Sequence, residues 1–272
     1  MPKVQVAGRE FHYERAGSGE PLLLIQGMSG THVSWGREFK GALEESFDVV
    51  AFDNRGIGLS APVDGPFTIA EMAVDTAALL GELGVESAHV VGISMGGMIA
   101  QELALAEPGL LRSLTLGCTY CGGPGSQLMP EENLRKLVEG MSSGDRDKAI
   151  RAGYEVNLSP AFRADEGTYA AFHEMATRVP AAKATIELQA QAIFGHDTSG
   201  RLSEIATPTL IVHGTVDGVL PFPNGELIAS LMPAARFEVL EDVGHMFWWE
   251  QPQRSAELVR EHALAATGRE AT

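Results

Sequence analysis

The sequence predicts an α/β fold: a mostly parallel, eight-stranded sheet flanked by helices. Three observations lead there. Short apolar, β-branched runs alternate with helix-forming segments along most of the 272 residues, the pattern of strand–crossover–strand units. Several of these runs are apolar without interruption, as strands covered on both faces must be. The alternation is suspended once, for about eighty residues, by a stretch whose periodicity is helical throughout.

Taken in order, residues 4–6 and 11–15 alternate polar and apolar side chains around Gly8 and read as an antiparallel hairpin at the sheet edge. Strands follow at 22–26, 49–53, 89–93, 111–117, 210–213 and 236–240. Helices are expected between them; in 69–83, Met72, Thr76, Leu79, Leu80 and Leu83 fall near one face, and 98–106 and 224–231 are also helix-forming. After Cys121 the run Gly122-Gly-Pro-Gly125 punctuates the chain, and the next strand waits for Thr207-Pro208. The intervening segment carries three apolar stripes, expected to supply its own small core. They are Leu134, Leu137, Val138 and Met141; Tyr169, Phe172, Met175, Ala176 and Val179; and Ile186, Ala190, Ile193 and Phe194. The expected division is therefore residues 1–121 and 205–272 for the sheet-bearing core and 122–204 for a helical insert.

Composition narrows the function. A 44% hydrophobic content is sufficient for a buried core. Twenty Lys and Arg against 36 Asp and Glu give a formal charge of −16, which argues against nucleic acid or an anionic membrane as partner, since both need clustered basic residues. No apolar run suits a signal peptide or a transmembrane helix, so a cytoplasmic location is expected, with oligomeric state left open. The two cysteines, Cys118 and Cys121, exclude a disulfide framework. Their C-x-x-C spacing has no second cluster to complete a zinc site, and they are expected after the sixth strand, near the pocket mouth.

Chemistry enters at His89-Val-Val-Gly-Ile-Ser94-Met-Gly-Gly97. A β-branched strand ending in Gly-x-Ser-x-Gly, with a helix at once behind it, is the context of a nucleophile elbow. Crowding at such a turn allows only glycine two residues either side of the serine, and the helix N-terminus aims its amides at the same point. A nucleophilic serine needs a base, and the base an orienting acid. Asp217 follows the strand Thr209-Leu-Ile-Val-His-Gly, and His245 follows the last strand. In a parallel sheet that order places Ser94, Asp217 and His245 at one carboxyl edge. Asp242 is the rival acid, but its closeness to His245 in sequence makes the pairing geometry awkward.

Three further segments complete a resemblance. Phe52-Asp-Asn-Arg55-Gly-Ile-Gly58-Leu-Ser60, Gly244-His245 with Glu250-Gln-Pro252, and Leu22-Leu-Leu-Ile-Gln26-Gly27-Met28 join the elbow. On these motifs the chain resembles the α/β-hydrolase superfamily over nearly its whole length, and within it cap-bearing esterases and 3-oxoadipate enol-lactonases. The resemblance implies that the insert is a helical cap over the active site, and that the backbone amides of Met95 and Met28 form an oxyanion hole. Gln26 stands where the family often has histidine; the donor there is a backbone amide, so a changed side chain need not abolish it.

The expected function is hydrolysis of a small carboxylic ester or lactone through an acyl-enzyme, with catalytic Ser94, Asp217 and His245 and no metal or organic cofactor. The same scaffold serves carbon–carbon bond hydrolases, cofactor-free haloperoxidases and non-catalytic small-molecule binders. An enol-lactone carries a carboxylate and demands a cation, for which Arg135, Arg151, Arg163 and Arg178 are the candidates. Trp35, Tyr120, Met129, Phe247 and Trp248 are expected as apolar walls around the serine. Surface or strand-end roles are expected of the remaining histidines (His12, His32, His89, His173, His196, His213 and His262).

Overall fold

Alternation along the central strands decides the architecture. In a computed structural model describing residues 2–179 and 181–268, Leu23, Ile25, Val50, Phe52 and Val90 join one buried cluster with residues of helices Ile69–Glu82 and Met95–Ala106. Leu22, Leu24, Val49, Ala51, Val91 and Ile93 join a second with residues of helices Arg37–Glu44 and Pro252–Ala266. Successive residues point to opposite faces of a strand, so a sheet with helices on both sides needs apolar residues at every position. Leu22 to Ile25 are all fully buried, which accounts for their unbroken run.

The strands are β1 (Lys3–Val6), β2 (Arg9–Gly17), β3 (Glu20–Ile25), β4 (Phe47–Phe52), β5 (Ala88–Ile93), β6 (Leu111–Gly117), β7 (Thr209–Gly214) and β8 (Arg236–Leu240). They form one sheet in the order β1-β2-β4-β3-β5-β6-β7-β8. β1 pairs antiparallel with β2, and β2 with β4; every later pairing is parallel. The sheet is thus the mostly parallel, eight-stranded one expected, with β5 at its centre. No helix among the described residues is long and apolar enough to cross a membrane.

Among the described residues between β6 and β7 stand five α-helices: Glu131–Ser142, Arg146–Asn157, Pro160–Arg163, Gly167–Arg178 and Lys183–Phe194. Their apolar stripes depart from expectation. Leu134, Val138 and Met141 lie open to solvent, because their helix packs chiefly on Arg146–Asn157 and nothing covers its outer face. In Lys183–Phe194 the buried residues are Thr185, Gln189 and Ala192, while Phe194 is 70% exposed. The polar Thr185 and Gln189 are buried because this helix meets the core at backbone-rich loops. The middle stripe is turned inward, but onto the main core: Phe172 is buried in the second cluster of the sheet, and Tyr169, Met175 and Ala176 pack against it.

The turn after β4 anchors the neighbourhood of the site. Asp53 Oδ1 accepts from the backbone and Nδ1 of His32 (2.7 and 2.9 Å), and Oδ2 from the Leu59 amide (2.8 Å). Arg55 and Asp75, both buried, pair at 2.5 Å. Removing one member of such a pair strands the other charge without water. Asp75→Ala should therefore lower unfolding free energy by about 3–5 kcal/mol in urea titrations; a loss of well under 1 kcal/mol would mean that water reaches Arg55.

Candidate active site

Ser94 occupies the turn between β5 and the helix Met95–Ala106 with φ 53° and ψ −124°. An L-residue holds such a conformation only when its surroundings leave no alternative. Here they do not: a Cβ on Gly92 would lie 2.3 Å from the Gly96 carbonyl oxygen, and one on Gly96 would lie 2.0 Å from that of Ile25. Thr119 Oγ1 donates to the Ser94 carbonyl (2.7 Å), and the Ser94 amide to Gly117 (2.9 Å). Ser94 itself is partly exposed.

The loop after β3 closes against this turn. A Cβ on Gly27 would come within 2.9 Å of Ser94 Cβ and 3.4 Å of its Oγ. Met28 is next along that loop and Met95 next after the serine, and no hydrogen bond from either amide is found among the described residues. Gln26 folds its side chain back so that Oε1 accepts from the Gly27 amide at 3.2 Å. A residue of the insert takes part too: the Ser29 amide donates to Gln189 Oε1 at 2.8 Å. The Nε2 groups of both glutamines are buried without a partner.

Asp217 lies in the loop after β7, fully buried, and its Oδ2 accepts from His245 Nδ1 at 2.7 Å. Asp242 is exposed, bonds Thr215 through its own amide and makes no such contact. The Ser94 hydroxyl makes no hydrogen bond to His245 among the described residues; in ligand-free sites this contact is often long and shortens when substrate arrives. Two neighbouring residues link the loops that carry the three. Phe247, just past His245, packs its ring on Gly117 and Ile93. Cys118 interacts with both Asp217 and the Ser94 backbone; burial pushes its thiol up and the Asp217 charge adds to this, the Ser94 backbone opposing.

Burial by itself would raise the Asp217 carboxyl, but the charge of His245 and hydrogen bonds from His213 and His245 hold it well below the ordinary range. The loop bearing His245 is clamped from the insert. Glu250 Oε1 accepts from the amides of Gly244 (3.0 Å) and Ser159 (2.8 Å), its Oε2 from the Ser159 hydroxyl (2.5 Å), and the Met246 amide donates to Asn157 (3.1 Å).

Several expectations change. Six of the seven other histidines are buried, His173 being the exception; His89 and His213 hold the strand-end places expected, next to the ends of β5 and β7, and each of the six has a polar partner, such as Pro2 O for His12 and Ser113 Oγ for His89. His12, His32 and Asp53 bring possible ligand atoms within 4.8 Å of one another. Both Asp53 oxygens are already occupied by amide and imidazole donors, so the chemistry is that of a hydrogen-bond network. Cys118 and Cys121 follow β6 as expected and are free and fully buried.

Trp35, Tyr120, Phe247 and Trp248 are all buried. Tyr120 donates its hydroxyl to Ile193 in the insert (2.8 Å) and Trp248 its indole N–H to Ser34 (3.0 Å). Trp35 and Trp248 line a cavity of about 620 Å³ together with Phe162, Met175 and Arg178, and Ser94 is not among its lining residues. Of the other candidate cations, Arg135 faces Glu139, Arg151 stacks over the Tyr169 ring and Arg163 bonds Leu158.

These features define a class. The chain belongs to the α/β hydrolase family, whose profile matches residues 22–258. It is 30% identical over 249 residues to a protein of Azorhizobium caulinodans assigned as the carbamate hydrolase RutD, covering 91% of this chain and 92% of that one. Among solved structures it is similar to Est816, described as an N-acyl homoserine lactone degrading enzyme (TM-score 0.80, 29% identity, 95% and 99% covered). The enol-lactonase from Burkholderia xenovorans LB400 shares the fold at 23% identity (TM-score 0.83, 96% and 99% covered). The protein is a hydrolase of the α/β family.

A carboxyl held below its unfolded-state value stabilises the fold fully above that value, about 3.9, and loses the contribution progressively as pH falls from there through the lower folded-state value. Wild type should therefore exceed Asp217→Asn in Tm near neutral pH, and the gap should narrow below about pH 4. A gap independent of pH would show that the Asp217 charge contributes nothing to folding.

Proposed function

We propose that this chain is a serine hydrolase that cleaves a small carboxylic ester or lactone through an acyl-enzyme. The observation that carries the reading is the 2.7 Å bond from His245 Nδ1 to Asp217, at the same sheet edge as a strained, partly exposed serine; the Met28 and Met95 amides find no acceptor among the described residues.

With its Nδ1 proton donated to Asp217, His245 presents the lone pair of Nε2. Ser94 Oγ attacks the acyl carbon as its proton passes to Nε2, and the carbonyl oxygen becomes an oxyanion. The Met28 and Met95 amides stabilise that charge, each worth roughly 3–4 kcal/mol by comparison with other oxyanion donors. Collapse expels the alkoxide, which takes the proton from His245. Water, deprotonated by the same imidazole, then attacks the acyl-serine, releases the carboxylic acid and restores the hydroxyl. In a lactone the alkoxide stays attached to the acyl group, and the product is one hydroxy acid.

Residues 122–204 act as a cap in this reading, because Gln189 holds the oxyanion loop and Ser159 the histidine loop. The buried aromatic surroundings favour uncharged acyl parts, since an unpaired carboxylate is costly to desolvate. Three of the four candidate arginines are engaged elsewhere, which weakens the argument for an enol-lactone carboxylate; Arg178, lining the cavity beside Trp248, is the candidate that stands. Lactone turnover has the support of the similarity to Est816.

Short p-nitrophenyl esters and N-acyl homoserine lactones should be hydrolysed, and a fluorophosphonate should label wild type but not Ser94→Ala. His245→Ala should lower kcat by several orders of magnitude. Asp217→Asn should slow turnover strongly and Asp242→Asn should not. Labelling without turnover of any ester or lactone would favour a binding role, and the reverse ranking of the two aspartates would move the acid to Asp242.

A further inference from the structure

Asp217 holds more than one histidine. Its Oδ2 lies 2.7 Å from His245 Nδ1 and 3.3 Å from His213 Nε2, while Oδ1 accepts from the amides of Val219 (2.8 Å) and Leu220 (2.9 Å). A carboxylate offers about four lone-pair directions, and here all are met inside the protein. His213 also reaches the Leu220 carbonyl through the same Nε2, at 2.8 Å. A carbonyl accepts and cannot donate, so the proton of that contact sits on Nε2, poised between Leu220 O and the carboxylate.

The ring has no freedom to leave. His213 is the penultimate residue of the fully buried strand β7. A Cβ on Gly225 would stand 2.8 Å from His213 Nδ1 and 3.0 Å from its Cγ, so only glycine allows the helix Pro223–Leu231 to approach so closely. The Phe222 ring meets the imidazole edge-on, with centroids 6.1 Å apart. One side chain thus ties the end of β7, the turn 217–220 and the carboxylate together.

We infer that His213 is a positioning residue for Asp217, fixing the rotamer in which the carboxylate accepts the hydrogen bond from His245 Nδ1–H. The inference rests on the proposed triad and deepens it: the relay is His213–Asp217–His245, with two imidazoles on one carboxylate oxygen. His213 touches no substrate and acts through Asp217 alone. Without it, one lone pair of a dry carboxylate and the Leu220 carbonyl lose their donor, and Asp217 gains freedom to turn away from His245.

The test compares His213→Leu, which keeps bulk and removes the donor, with His213→Gln, whose amide N–H can replace Nε2–H. For p-nitrophenyl acetate, His213→Leu should lower kcat roughly 10- to 100-fold with KM within about two-fold, and His213→Gln should recover most of the loss. The low-field proton resonance of the His245–Asp217 bond should shift or broaden in His213→Leu and return in His213→Gln. A folded His213→Leu with kcat within about two-fold of wild type, or with lost activity but an unchanged low-field resonance, overturns the inference. Wild type alone gives a readout independent of variant folding. With ¹⁵N-labelled histidine, His213 should carry its proton on Nε2; a proton on Nδ1 alone overturns the assignment. A wild type that fails to label with fluorophosphonate would instead defeat the proposed hydrolysis, leaving both resonance measurements to judge His213.

Discussion

A negative charge kept out of water is the constraint on which the rest of this molecule depends. Asp217 is fully buried, and an isolated carboxylate there would be neutralised. It stays ionised because two imidazoles and two amides surround it. Those donors must come from three separate parts of the chain, and the sheet is what brings them together. β7 delivers His213, its following turn the two amides, and the loop after β8 His245. With β3 to β8 all running the same way, the sheet places all these loops at one edge, so the arrangement of strands and the survival of the charge are one problem.

The strained serine is a second charge-related device on the same edge. Ser94 is held at positive φ, no acceptor for the Met95 amide is found among the described residues, and Gly27 closes against the serine with Met28 next in the loop. In the proposed mechanism these amides are the oxyanion donors, and the backbone pays in strain for having them oriented before any reaction begins. In the proposed mechanism that orientation is what lowers the barrier, since no reorganisation is needed when the oxyanion forms.

The insert is tied to both devices. Gln189 holds the loop carrying Met28, and Ser159 with Asn157 holds the loop carrying His245 through Glu250 and Met246. Movement of these helices would disturb both loops at once, a physical route by which a segment far from the serine in sequence can govern its surroundings. None of these tethers could be read from the sequence. A buried glutamine in a helical stripe looks like a mispatterned surface residue until the loop that it bonds is in view.

The sequence by itself determined the sheet, its helices and the order Ser94, Asp217, His245, because periodicity and glycine spacing are local properties that follow from backbone geometry. It also selected Asp217 over Asp242, since a strand-end context survives in the chain. Only the tertiary structure decided the partners. His213 meets Asp217, Cys118 lies beside Ser94, and the stripe of Leu134, Val138 and Met141 faces solvent rather than a core. Each of these depends on which surfaces meet across long stretches of chain. Local pattern says which residues need burial or a hydrogen bond, and packing alone says what supplies it.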